Sequence, residues 1–391
     1  MVKVWRFFLF LLVTMAMVSG LSVKAQTPNL PQSQTIGELE LVATFDGAMP
    51  TGVTVSQEGR IFVNFPRWGD DVPYTVGEVI ENKVVPYPNA DINLANSPSE
   101  ESLLSVQSVV VDPNNRLWLL DTGRPLFEPA SYGKPKLVGV DLEQNSIFKT
   151  ILFPEDVALP MTYLNDVRFD LTRGTEGMAF ITDSSFSGAN GIIIVDLASG
   201  ESWRKLDKHP STLPENNFVP KVEGQPLLNR PADGEPNYMT VGADGIAIAN
   251  DGEKLYYSVL SGRQLYSVSI DALVDRDLED DKVAATVEDL GAKGASDGLE
   301  SDSQGRIYIT DYEHNAIRRR IPEAMAGSEE TLVFDPRVLW PDTMSLATDG
   351  YLYFTANQLH RQPSFHNGND LREKPYSLFR IAVDAQPVML K

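Results

Sequence analysis

Six stretches of the chain alternate apolar and polar residues in the same way. They are "TGVTVSQEGRIFVNF" (51–65), "QSVVVDPNNRLWLLD" (107–121), "NDVRFDLTRGTEGMAFITD" (165–183), "DGIAIANDGEKLYYS" (244–258), "SDGLESDSQGRIYITDYEHN" (296–315) and "DTMSLATDGYLYFTA" (342–356). Each reads as a strand of period two, a turn and a second strand. The turns carry Glu58-Gly59, Asn114-Asn115, Asp251-Gly252, Gln304-Gly305 and Asp349-Gly350, where a positive φ is wanted. The third copy is longer at its turn.

Further strand signals follow the hairpins: "KLVGVDL" and "SIFKTILF", "GIIIVDL" and "SWRKLD", "LYSVSI" and "VAATVEDL". Four short strands per unit in six units, with no long helical stretch between them, predict an all-β, six-bladed β-propeller. A β-sandwich would leave six hairpins in near register unexplained. The sixth unit, ending in "YSLFRI" (376–381), lacks an outer strand, and "LELVATF" (39–45) has no unit of its own. The N-terminal strand is therefore expected to complete the sixth blade and remove an open edge. One propeller domain over 38–391 follows.

In such a fold the first strand of each hairpin lines the central channel. Its first residues are Thr51, Gln107, Asn165, Asp244, Asp297 and Asp342, all polar. The second strands return Asp121, Asp183, Ser258 and Asp311 to the same face. So many acids near one axis need a cation, protons or hydrogen bonds to offset their repulsion. Capping of local turns is the competing role, and the plainer one for the second-strand group. The longest connection, roughly 186–243, is rich in Pro and Asn. It feeds Asp244, so it is expected to pass near the channel mouth as a lid or binding loop.

Composition narrows the context. Lys3 and Arg6 precede the apolar run "FFLFLLVTMAMV", and "VKA" ends at Ala25, as in a cleaved secretory signal over 1–25 with a leader over 26–37. Export, to a periplasm or the exterior, is the expectation. The run is too short to span a bilayer. The chain has no Cys, which removes thiol chemistry and points to a bacterial source, and its net charge of −21 argues against nucleic acid and anionic membranes as partners. A monomer that takes a small molecule is expected.

Known motifs contribute little. "GASDG" (294–298) matches G-x-S-x-G, but a strand follows it where a nucleophile elbow needs a helix, so Ser296 is not read as a nucleophile. "DRDLEDD" (275–281) lacks the glycine of a calcium loop and has Thr286 in place of its last Glu. Of the four His, His314 follows the fifth hairpin and could border the channel mouth, a loop His that bonds to backbone being the plainer reading.

"LWLLDTG" (117–123), "YLNDVRFD" (163–170), "YYSVLSGRQLYSV" (256–268), "LWPDTMSL" (339–346) and "LYFTANQL" (352–359) resemble the major royal jelly protein and yellow family. That resemblance covers about 38–383 and implies a secreted six-bladed propeller. Insect members are linked to dopachrome conversion, and salivary relatives bind biogenic amines in the channel. It implies an amine site near the last blade, where Thr343, Phe354 and Asn357 stand. A more distant resemblance, to gluconolactonase and regucalcin propellers, implies a divalent metal on Asn165 and Asp297. Those proteins supply Glu where this chain has Thr51, which weakens a lactonase-type site. Ca²⁺ or another hard divalent cation is the one cofactor the oxygen ligands favour. Two functions therefore stand as expectations. One is a cationic or aromatic amine bound by Asn165, Asp244, Asp297, Asp342, Thr343, Phe354 and Asn357. The other is an enzyme, either a metal-assisted lactone hydrolase or a dopachrome-type tautomerase, with Asp244 or Asp311 as base.

Overall fold

The structure, a computed structural model, describes residues 34–93, 102–130 and 134–391. The expected signal segment and residues 26–33 lie outside the described residues. Six four-stranded antiparallel sheets follow one another as blades, and they form a six-bladed β-propeller. The inner strands are Val53–Val55, Val106–Val111, Leu164–Asp170, Ala243–Ile248, Leu299–Ser301 and Pro341–Leu346. The N-terminal strand Glu40–Phe45 pairs with Tyr376–Ala382 and completes blade six. The leader is not wholly unstructured, because Ile36 forms a bridge with Phe334 of blade five.

The hairpin turns close as the sequence predicts. Gly59, Asn115, Gly252, Gly305 and Gly350 have φ of 82°, 61°, 73°, 77° and 81°. Blades two and five share a finer device. Asp112 caps the N–H groups of Asn114 and Arg116 and takes hydrogen bonds from Arg116 Nε (2.7 Å) and Trp118 Nε1 (2.8 Å). Asp302 does the same with Gln304, Arg306 and the Tyr308 hydroxyl. One carboxylate thus fixes the turn and the aromatic that leaves it. The predicted strand "VAATVEDL" forms only in part: Asp280–Ala284 is helical, and the strand is Glu288–Ala292.

The core lies between blades. Trp118 and Leu120 of blade two, for example, pack with Ile181, Ile193 and Val195 of blade three. The inner strands converge closely, and glycine permits it. A Cβ on Gly245 would stand 2.4 Å from the Asp297 carbonyl oxygen, and one on Gly298 would stand 2.4 Å from that of Asp342. This is why Asp-Gly recurs at the head of inner strands: the acid faces the channel, and the glycine admits the next blade. Gly298→Ala must push backbone against backbone, so thermal unfolding is expected to show a loss of about 1–3 kcal/mol.

Candidate functional site

The inner strands do not run regularly at the channel mouth. Register shifts fall between Val106 and Ser108, Leu164 and Val167, Ala243 and Ile246, and Pro341 and Met344. Bulges of this kind re-aim side chains. They place Gln107, Asn165, Asp244 and Asp342, with Asp297 of blade five, in the wall of one cavity of 330 Å³. Thr51 is not among them. Its hydroxyl bonds the Gln107 carbonyl at 3.3 Å and accepts from Asn64 Nδ2 at 2.7 Å.

The cavity has two unlike sides. Blades four to six supply Asp244, Asp297 and Asp342, each less than a tenth exposed. Opposite stands an aromatic wall that the sequence reading missed. Trp68 stacks on Phe127 (5.6 Å, 23°), and Phe127 meets Tyr163 at 5.4 Å and Phe186 at 5.3 Å. Phe127 and its neighbour Leu126 hold φ of 58° and 54°, unusual for side chains of their size. The long connection supplies Asn229, Met239 and Val241, and the loop of blade six between Tyr351–Ala356 and Tyr376–Ala382 supplies Leu359, Gln362 and Phe365. The two segments are tied together. The Glu223 carboxylate accepts from His360 Nε2 at 2.8 Å and from Arg361 Nη2 at 2.6 Å, and Arg230 N–H bonds the Ser364 carbonyl at 2.7 Å.

The three acids differ in their support. Trp340 Nε1 donates to Asp297 Oδ2 at 2.7 Å, and the indole is held by stacking on Tyr312 at 4.1 Å. Asn357 Nδ2 donates to Asp342 Oδ2 at 2.6 Å, and the Thr343 hydroxyl to Oδ1 at 3.1 Å. Among the described residues no N–H or hydroxyl donates to the Asp244 carboxyl. Burial, then the neighbouring Asp297 and Asp342 charges, push Asp244 well above the usual carboxylate range. Burial likewise raises Asp297, to about 6, against the Trp340 hydrogen bond. Asp342 is raised for the same reason, with Asp297 adding to it. Asp297 thus raises Asp244, while the interaction with Asp244 holds Asp297 down, so the two acids are driven apart in their readiness to ionise. Below the mouth, Arg168 donates to the Val167 and Leu299 carbonyls and lies 3.4 Å from Asp166. It lines a smaller cavity of 100 Å³ at the other end of the inner strands.

Several expected site residues stand elsewhere. Phe354 is fully buried inside blade six, 5.9 Å from Phe379. Asn357 stands behind Asp342 as its support, and Thr343 lines the smaller cavity. Asp311 is not a base facing the channel: it bonds His314, and Arg318 lies 2.6 Å from it. Asp121 and Asp183 are turn caps too, on the N–H groups of Leu104, Ser105 and Gly123, and of Tyr163 and Ser185.

The donors do not fit the expected divalent metal on Asn165 and Asp297. Asp297 Oδ2 already accepts from an indole, and Thr51 is turned to the backbone. Among the described residues no three His, Cys, Asp or Glu side chains are grouped to hold a cation. The melting temperature is therefore expected to be the same in millimolar Ca²⁺ and in chelator. A rise with calcium that Asp297→Asn removes would place a cation at the mouth.

A family model described as major royal jelly protein matches residues 104–386. Yellow-related salivary protein LJM17 of Lutzomyia longipalpis is 27% identical over 256 residues, covering 58% of this chain and 59% of that protein. Major royal jelly protein 7 of Apis mellifera is 23% identical over 334 residues, covering 77% of this chain and 70% of that protein. The chain thus spans less than two thirds of the salivary relative. Among solved structures, regucalcin of Agrobacterium tumefaciens, a calcium-binding protein, aligns with a TM-score of 0.53 at 12% identity, over 89% of this chain and 97% of that one. At that identity the likeness is one of fold.

Proposed function

Since the chain belongs to the major royal jelly protein family, we propose that it binds a small organic cation, an arylalkylamine, in the channel mouth. One observation carries the proposal. The buried Asp244 carboxyl, without a donor among the described residues, faces the cavity across from the wall of Trp68, Phe127, Tyr163 and Phe186. An ammonium supplies the missing charge and hydrogens. The ring attached to it gains from stacking and from removal of apolar surface. The charged start and apolar run at 7–18 and the salivary and royal jelly names of the relatives support an exported protein.

Calorimetry with phenethylamine and with 2-phenylethanol tests the reading. The amine is expected to bind and the alcohol, nearly the same in shape but neutral, is not. Equal binding of both would remove the role given to the acids.

A second reading, isomerisation by proton transfer of the dopachrome type, is favoured by the Asp244–Asp297 pair. Two neighbouring buried acids, one driven to keep its proton more than the other, beside an aromatic site are what a general acid and base require. Loss of dopachrome absorbance catalysed by the protein, and not by Asp244→Asn, would support it. Decay at the buffer rate would exclude it.

A further inference from the structure

Gln107 is only 8% exposed and lies in the cavity wall, and counting hydrogens fixes which way its amide points. The Trp68 indole can only donate. Its Nε1 lies 2.6 Å from the Tyr163 hydroxyl, which therefore accepts there. Burial holds the Tyr163 phenol far above its ordinary pKa, so its single hydrogen is retained and must be placed. The atom that receives it is on Gln107, 3.0 Å away. A donating hydroxyl needs an acceptor, so the amide oxygen Oε1 faces Tyr163 and the Nε2 group is turned the other way. Among the described residues, Nε2 has no hydrogen-bond partner. Two donor hydrogens thus stand in the cavity wall with no acceptor among the described residues.

We propose that Gln107 determines specificity by donating to an oxygen acceptor on the ligand ring, and that Tyr163 and Trp68 are positioning residues that hold it in the donor orientation. The proposal rests on the amine reading above and narrows it. With its ammonium at the acids, the ligand would carry an ether, carbonyl or phenol oxygen on the far part of the ring. An ether suffices, because what Gln107 presents is a donor.

Calorimetry with 4-methoxyphenethylamine and 4-ethylphenethylamine tests this directly. The two are nearly the same in shape, and only the first has the acceptor. The methoxy compound is expected to bind about tenfold more tightly, the scale of one net hydrogen bond. Gln107→Leu is expected to bring that ratio near one. Tyr163→Phe, which keeps the ring but releases the amide to turn, is expected to shrink it. A purely structural role for either residue would weaken both ligands alike and leave the ratio standing. A ratio near one in the unaltered protein, with both amines bound, overturns the role of Gln107 and leaves the amine reading intact. Absence of binding by both amines overturns the amine reading, and this inference with it.

Discussion

Asp244→Asn is expected to abolish amine binding and, in the same protein, to raise the melting temperature without ligand. Both effects follow from one arrangement. The Asp244 carboxyl is buried against Asp297 and Asp342 and has no donor from the protein among the described residues. Ionised, it meets the like charges of Asp297 and Asp342, and an approaching ammonium relieves this. Removing one partner of a buried charge pair costs about 2–5 kcal/mol of binding, roughly 30-fold to several thousandfold in affinity. The amide also removes the repulsion, and its N–H can donate to Asp297, so the ligand-free fold gains. A melting temperature higher by a few degrees is the scale for a large domain. Sites of this sort hold their strain in reserve for the ligand. Calorimetry and a thermal scan on the same preparation check the pair of outcomes. A variant that binds as before, or that binds nothing and also melts lower, would show that Asp244 is a structural acid.

The propeller was legible in the sequence because both of its signals are local. Period-two alternation marks the inner strands, and Gly59, Gly252, Gly305 and Gly350 mark the turns by their need for positive φ. The mouth acids were legible for the same reason, since they head strands whose order is known. Which second-strand acids join them was not. Asp121, Asp183 and Asp311 reach the same face of the molecule, yet they turn to nearby N–H groups and cations, as rotamer and loop geometry decide. Phe354 came from the family resemblance and not from the strand pattern, and its place within the second strand of blade six turns it into the core. The aromatic wall was missed because Trp68, Phe127 and Phe186 lie in loops, where no period exists. A signal was present: Trp68 follows Asn64, Phe127 follows Asp121 and Phe186 follows Asp183, each a few residues past the inner hairpin and on the same face. The supports were beyond reach from sequence. Nothing local connects Trp340 to Asp297, or Glu223 to Arg361.

Amine affinity is expected to fall as the pH is lowered through about 6, and binding near neutrality is expected to release a proton. Burial raises Asp297 to about 6, and burial with the neighbouring acid charges raises Asp244 and Asp342 well above the usual carboxylate range. A bound ammonium favours their charged forms and draws those values down. Protons must therefore leave whenever the amine binds at a pH below the free-state values. For each proton displaced, affinity falls roughly tenfold per pH unit below them. Stability without ligand has the opposite slope. A carboxyl raised in the folded state contributes stability that is full below its unfolded value, near 4, and is lost as the pH rises through its folded value. For Asp297 that window runs from about 4 to about 6, and Asp244, also raised, contributes in the same direction. The free protein should melt higher at pH 5 than at pH 7, and added amine should stabilise it more at pH 7. The net charge of −21 also relaxes on acidification, so the comparison that counts is with Asp244→Asn, whose slope should be shallower. Calorimetry in phosphate and in Tris counts the released protons, because the two buffers take them up with different heats. The same apparent heat in both buffers, with equal affinity at pH 5.5 and 7.5, would mean that the mouth acids are already ionised before the ligand arrives.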